Sequence, residues 1–312
     1  MQNLTLKQSI LSTLAHYEAE RGLPLSTFEI YKYLHKGSFD RIILSQIIIE
    51  LQKIIKNDGV IKNKNGFFSL NEIEEKCRDR IYRDKLSIKK WRKTKKIISL
   101  MQSIPFIKSI SVSGSLSMNN IFLNSDIDLF IITKKGKIWT TRTLSMLLIQ
   151  LIGQRRHNKK IDNKICLNYY ISENSDIPIK NMASANIFLR MIPIFEIKLY
   201  QSFLQENYFW IKKYFQKSKE RLPLKNFREI KRNGFLLFLK KISEYILSGN
   251  IGNGIELMLS RWQKKRIAKK IYGLNNVTNL IFTNEILMFH YPNPRNEAIL
   301  IGYKNIMDKI KQ

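Results

Sequence analysis

Asp126 and Asp128 stand one residue apart in the run Ser125-Asp126-Ile127-Asp128-Leu129-Phe130-Ile131-Ile132-Thr133. Side chains alternate across an extended strand, so the two carboxylates share a face and Ile127 and Leu129 take the other. Two carboxylates that close do not hold their charges unaided. A hard divalent cation, Mg²⁺ or Mn²⁺, answers that need and readily shares its coordination sphere with substrate phosphates. Ten residues separate this pair from Gly114-Ser115. Glycine allows a tight turn that brings the backbone close to phosphate. Ser115 offers a hydroxyl and a backbone N–H at the start of a helix, where anions are favoured. The set reads as a metal and phosphate cradle for a nucleoside triphosphate: it would polarise the α-phosphoryl and stabilise departing pyrophosphate. The plain alternative is a tight turn followed by a solvent-facing acidic pair.

The elements that must position these residues follow from the flanking pattern. Ile107–Val112 is rich in β-branched residues and reads as a strand running into Gly114. A short helix over about 116–122, a strand Asp126–Thr133, a helix over 138–156 and a strand Lys164–Ile171 follow. This is an α/β (α+β) unit, a sheet covered by helices. After about residue 181 the chain reads as helical, with candidates at Ala183–Met191, Leu199–Lys213, Phe235–Leu247, Ile251–Ile271 and Asn296–Ile310. Before the core, residues 5–20, a segment capped by Ser26 or Thr27, and residues 39–57 read as three helices. A hairpin follows, Val60–Lys62 and Phe67–Leu70, turning at Asn65-Gly66. Three helices and a hairpin describe a winged helix-turn-helix, with 39–57 as recognition helix and Lys62 and Lys64 on the wing. Such modules bind nucleic acid or dock to protein.

The run SGSLSMNNIFLNSDIDLFIIT resembles the signature of the DNA polymerase beta-like nucleotidyltransferase superfamily, in which a Gly-Ser pair precedes an Asp-x-Asp pair. The resemblance covers about residues 95–175, and a looser one to bacterial stand-alone nucleotidyltransferases continues through FLQENYFW at 203–210. It implies a small mixed-sheet nucleotidyltransferase core, with Asp126 and Asp128 as metal ligands and Gly114 and Ser115 binding the triphosphate, ATP or another NTP. The family also supplies a third carboxylate from a later strand. Here that position in KICLNYYI is Asn168, which can ligate a metal but cannot act as a base. Asp162 shares the parity of Asn168 but precedes the strand, and Glu173 lies just past it. The organisation expected is a winged-helix-like module at 1–72, basic linker helices at 73–98, the core at 99–200 and a basic, mainly helical region at 201–312.

Charge frames the partners. The chain has 312 residues, 54 Lys+Arg against 25 Asp+Glu, and a net charge of +29. Such a balance points to polyanions. Residues 1–70 carry only +3, residues 71–110 carry +7 and residues 201–312 carry +13. The densest blocks are Lys89–Lys96 and Arg261–Lys270. The excess therefore fits an extended surface around the core better than a compact DNA-binding module. The expected partners are an NTP and a nucleic acid, with RNA such as tRNA favoured as acceptor and DNA, protein or a small molecule open. No apolar run reaches the roughly 20 residues that span a bilayer, so no membrane partner is expected. The apolar side chains on the helix bearing Arg261–Lys270 would also suit a membrane surface, a reading placed behind nucleic acid. Two cysteines, and no leader-like start, point to a reducing, cytoplasmic setting. His16, His35, His157 and His290 are scattered, with no zinc spacing to Cys77 or Cys166. Cys166 and Trp210 read as core.

Overall fold

Thr5 and Ser26 open the first two helices with the same device. Each side-chain oxygen accepts from the backbone N–H three residues on, and Gln8 and Glu29 reach back to the cap N–H. The computed structural model describes residues 4–20, 22–39, 42–155, 163–216, 228–272, 280–289 and 294–311. The chain begins with α1 (Leu6–Ala19), β1 (Leu25–Ser26), α2 (Thr27–Lys32), α3 (Leu44–Asn57), β2 (Lys62–Lys64) and β3 (Phe67–Ser69). The hairpin β2–β3 turns at Asn65 and Gly66, both at positive φ (51° and 78°), as an Asn-Gly hairpin requires. β1 adds to β3 in an antiparallel sheet of order β1-β3-β2. Ile47, Leu51 and Ile54 of α3 are buried, while Ile43, just before the helix, and Ile48 and Ile49 within it are exposed. The expected start of this helix, at residue 39, is too early: α3 opens at Leu44, with residues 40 and 41 outside the described chain.

The linker segment is a single helix of 28 residues, α4 (Glu74–Met101). Among its buried residues, Cys77, Arg80, Ser87, Trp91, Thr94, Ile98 and Met101 fall at successive steps of three, four or seven, one stripe along the helix that Lys90 and Ile97 widen. The sheet region continues as β4 (Ile107–Val112), α5 (Gly114–Ser117), β5 (Ile127–Thr133), α6 (Ile138–Leu151) and β6 (Ile165–Ser172). Then come α7 (Met182–Arg190), β7 (Ile192–Phe195), α8 (Ile197–Glu206), α9 (Tyr208–Ile211), α10 (Gly234–Ser248), α11 (Asn250–Tyr272), β8 (Ile281–Phe282), β9 (Ile286–Met288) and α12 (Pro294–Lys311).

The main sheet is open and mixed, in the order β7-β4-β5-β6-β9-β8. β5 and β6 run parallel, joined across α6, and the other neighbours are antiparallel. Ile110, Leu129, Ile131, Trp139 and Tyr170 form one buried cluster under α4 and α6. The opposite face buries Phe130, Phe188, Phe203, Trp210 and Phe215, so Trp210 is core. Each such side chain removed from water stabilises the fold by about 1.5–3 kcal/mol.

The purely helical reading after residue 181 is corrected by three strands. β7 pairs with β4, and β9 with β6. They are short, and Pro193 in β7 masks its β character. The expected helix 199–213 is divided between α8 and α9 at Asn207, whose side chain accepts from Trp210 Nε1 at 3.0 Å. The helix expected over 116–122 is instead the single turn α5, starting at Gly114 itself.

Candidate metal centre

Parallel register builds the site. Asp128 on β5 sits opposite Cys166 on β6, and partners at one level of a sheet point the same way. Asp126 lies just before β5, where Ile127 N–H donates to Lys164 O at 2.9 Å. One ligand atom from each of Asp126, Asp128 and Cys166 lies within 4.8 Å of the other two. The carboxylates are half-buried and the thiol is buried. Bonds from divalent ions to oxygen run about 2.0–2.6 Å, so three donors this close fit around one ion. The donor chemistry is mixed: two hard carboxylates and one soft thiol.

Gly114 closes the other side. Ser113 N–H donates to Asp128 O at 3.0 Å, which brings the turn after β4 against β5. Gly114 has φ +67°, and a Cβ there would stand 2.4 Å from Asp128 Oδ2. Only glycine fits on both counts. Ser115 follows in the half-exposed first turn of α5. One turn carries little macrodipole, so an anion here would meet individual N–H groups rather than the field of a long helix.

Asn168 reaches the pair: its Nδ2 donates to Asp128 Oδ1 at 3.0 Å, and Cys166 Sγ lies 2.7 Å from its Oδ1. Between Asp128 and Phe130 the register with β6 slips from Cys166 to Tyr169, a bulge that leaves Leu167, Asn168 and Tyr169 all half-exposed. Glu173 does not reach the site. It follows the far end of β6, accepting from Lys135 N–H at 3.3 Å and pairing with Lys108 Nζ at 3.4 Å. Five residues of β5 separate that end from Asp128, about 16 Å. Asp162 and His157 lie outside the described residues. Cys166 is buried, as its sequence setting implied, but its thiol faces the acidic pair. Nothing in the local pattern marks that, because it depends on how β6 registers against β5.

The inner face of α4 holds the loops that carry the site. Trp91 Nε1 donates to Asn119 Oδ1 at 2.9 Å and Arg228 to the same oxygen at 2.9 Å, its guanidinium 4.1 Å over the Trp91 ring. Lys90 Nζ donates to Ser125 O, next to Asp126, and Lys93 Nζ to Asn163 O at 2.7 Å. Burial, and then the charge of Lys164, lower the Lys93 pKa. Beside these contacts runs an open groove of about 490 Å³ between α4 and the end of α6. Lys89, Arg92, Lys93 and Lys96 line it with Ile97 and Ile152, and no acidic residue does among the described residues. No protein-family model matches the chain, and neither does any curated protein or solved structure.

Proposed function

We propose that the chain is a divalent-metal-dependent nucleotidyltransferase. It would move a nucleoside monophosphate from an NTP to a hydroxyl of an acceptor and release pyrophosphate. The observation that carries this reading is the close approach of Gly114 to Asp128 beside the Asp126–Asp128–Cys166 cluster. A bare acidic pair does not require a glycine against it, whereas a phosphate cradle does. Asp126 and Asp128, with Cys166, would hold the ion. When bound, the metal neutralises triphosphate charge and polarises the α-phosphoryl group. Gly114 keeps the backbone beside Asp128 clear of side-chain atoms, and Ser115 presents its N–H and hydroxyl to phosphate oxygen. Asn168 orients Asp128 through Nδ2 but accepts no proton. Removing the proton of the acceptor hydroxyl therefore falls to a ligating carboxylate or to water. Mg²⁺ or Mn²⁺ fits the carboxylates, and Cys166 tilts the set towards Mn²⁺.

The acceptor favoured is RNA such as tRNA, because the basic groove adjoins the loops bearing the acidic pair. We read residues 1–72 as a winged-helix module. The exposed Ile48 and Ile49 of its α3, with Ile43 before it, suit docking better than duplex reading. A second reading is a nucleic-acid-binding regulator with a degenerate nucleotidyltransferase fold. Asn168 at the position of the third carboxylate favours it.

The test is incubation of the full chain with labelled NTPs, Mg²⁺ or Mn²⁺, and total RNA. Pyrophosphate release and a labelled acceptor are expected, and both vanish in Asp126→Ala with Asp128→Ala. Intact NTP and no labelled acceptor with the unaltered chain would leave the regulator reading.

A further inference from the structure

α10 turns only part of its apolar surface inward. Leu237 packs against the core, and beside it Glu244 accepts from Phe106 N–H at 2.7 Å and Lys240 Nζ donates to Ile107 O. Its other side carries Phe235, Phe238, Leu239, Ile242, Tyr245 and Ile246, a stripe at helical spacing, and all six are exposed. Tyr245 is 86% and Phe235 68% exposed, and no residue of α10 is buried. In α11, Leu259 and Ile267 likewise pack against the core. Glu256 faces inward and accepts from Trp139 N–H at 2.9 Å and Thr140 N–H at 2.7 Å, and Gln263 is buried against Trp139 O. Ile251, Met258 and Trp262 are exposed.

Charge is sorted in the same way. Glu244 and Glu256 are the two acidic residues between 234 and 272, and both are bonded to the core. The exposed charges described there, Lys241, Arg261, Lys265, Arg266 and Lys269, are all cationic. An apolar surface of this size in water marks an interaction face. A second copy would set cations against cations. Nucleic acid could stack on the aromatic rings but has no use for Leu239, Ile242, Ile246 and Ile251. An anionic lipid surface matches every component. Its acyl boundary takes aliphatic side chains, its interface takes Tyr and Trp, and its headgroups pair with Lys and Arg.

We propose that the outward face of the α10–α11 hairpin seats on an anionic lipid surface. The helices lie in the interface; among the described residues no helix is long and apolar enough to cross a membrane. This assignment does not depend on nucleotidyl transfer.

The test is co-sedimentation of the full chain with phosphatidylcholine vesicles, with and without phosphatidylserine. The chain is expected on the phosphatidylserine vesicles and to leave them as salt is raised. Phe238→Glu with Ile242→Glu should weaken partition at least about tenfold, and Lys241→Ala about fivefold. Both variants alter exposed positions, so their circular dichroism and melting should match the unaltered chain. Trp262 fluorescence should shift to the blue on vesicles, a shift absent in Trp262→Phe. Absence of partition, equal partition onto phosphatidylcholine alone, or partition untouched by Phe238→Glu with Ile242→Glu would overturn the proposal. So would a dimer in light scattering that the same variant dissolves, which would place a second copy on this face.

Discussion

Gly114→Ala separates a backbone requirement from a site requirement. Alanine in the left-handed region costs about 1–2 kcal/mol wherever it occurs. Gly136 has φ +71° and nothing within 4 Å of an added Cβ, so Gly136→Ala bears that cost alone. At Gly114 the Cβ would also lie 2.4 Å from Asp128 Oδ2, about an ångström inside ordinary contact. The carboxylate must swing away and surrender the 3.0 Å bond from Asn168 Nδ2. A hydrogen bond to a charged group is worth about 1.5–3 kcal/mol, and partial exposure puts this one near 1 kcal/mol. Gly114→Ala should therefore lose about 2–3 kcal/mol and Gly136→Ala about 1–2 kcal/mol in urea unfolding. Isothermal titration with Mn²⁺ should show affinity at least about tenfold weaker for Gly114→Ala, as an outer-shell disturbance typically costs. Gly136→Ala should bind as the unaltered chain does. Equal stability losses together with equal Mn²⁺ affinities would refute the account of Gly114 as part of the site.

The buried His16 sets a pH dependence, because burial pulls its pKa down to about 4, with Glu20 partly opposing and Arg190 adding. Its folded value lies below the unfolded value of about 6.5, so stability is full above pH 6.5 and falls as pH drops towards 4, by roughly 3 kcal/mol. Urea midpoints between pH 7.5 and 4.5 should follow that slope, and His35, lowered by burial and then by His16, adds to it with the same sign. Cys166→Ser should keep Mg²⁺ affinity within about twofold and weaken Cd²⁺ or Zn²⁺ at least about tenfold, since oxygen replaces the soft donor. Unchanged Cd²⁺ affinity in a competition titration would remove the thiol from the site. Lys89 and Lys90 are neighbours with opposite roles. Lys89→Ala should lower the salt slope of single-stranded RNA binding by about 0.7 and leave stability unchanged. Lys90→Ala, which removes the donor to Ser125 O, should instead lower the urea midpoint.

Legibility in the sequence depended on whether a feature was local. The strand β5, the Asn65-Gly66 hairpin and the Ser26 cap each declare themselves within a few residues, and each stands where expected. The proximity of Gly114 to Asp128 does not, because it follows from the antiparallel pairing of β4 with β5, which neither strand's pattern specifies. β9 does not declare itself. It is three residues long and finds β6 more than a hundred residues away, so its strand character comes from the pairing. Cys166 is legible as a strand residue and illegible as a neighbour of Asp126, because register between strands is not written in either one. α10 shows a third kind of failure. Its apolar stripe at helical spacing is plain, but periodicity reveals the stripe without saying on which side the rest of the protein lies.

The same distinction changes what +29 means. Several cations are engaged in construction. Lys93 caps Asn163 O, Lys137 caps Leu247 O at 2.8 Å, Lys164 caps Gly153 O at 2.6 Å, and Lys90 and Lys240 do the same at Ser125 and Ile107. Others are paired inside the fold, as Arg80 is with Glu29 and Arg190 with Glu20. Some acids are engaged in the same way: Glu18, Glu20, Glu29, Glu244 and Glu256 all bond to core elements, whereas Glu72, Glu74, Glu75, Asp79 and Asp84 stand exposed around the start of α4. The exposed cations gather locally, at the α4 groove and on α11, rather than evenly over the surface. Asp126 and Asp128 differ from both groups of acids, lying close together with the Cys166 thiol. They are carboxylates left half-exposed at a sheet end, with a glycine fitted against one of them. That local geometry, more than the net charge, is the reason to look for a cation and a phosphate there.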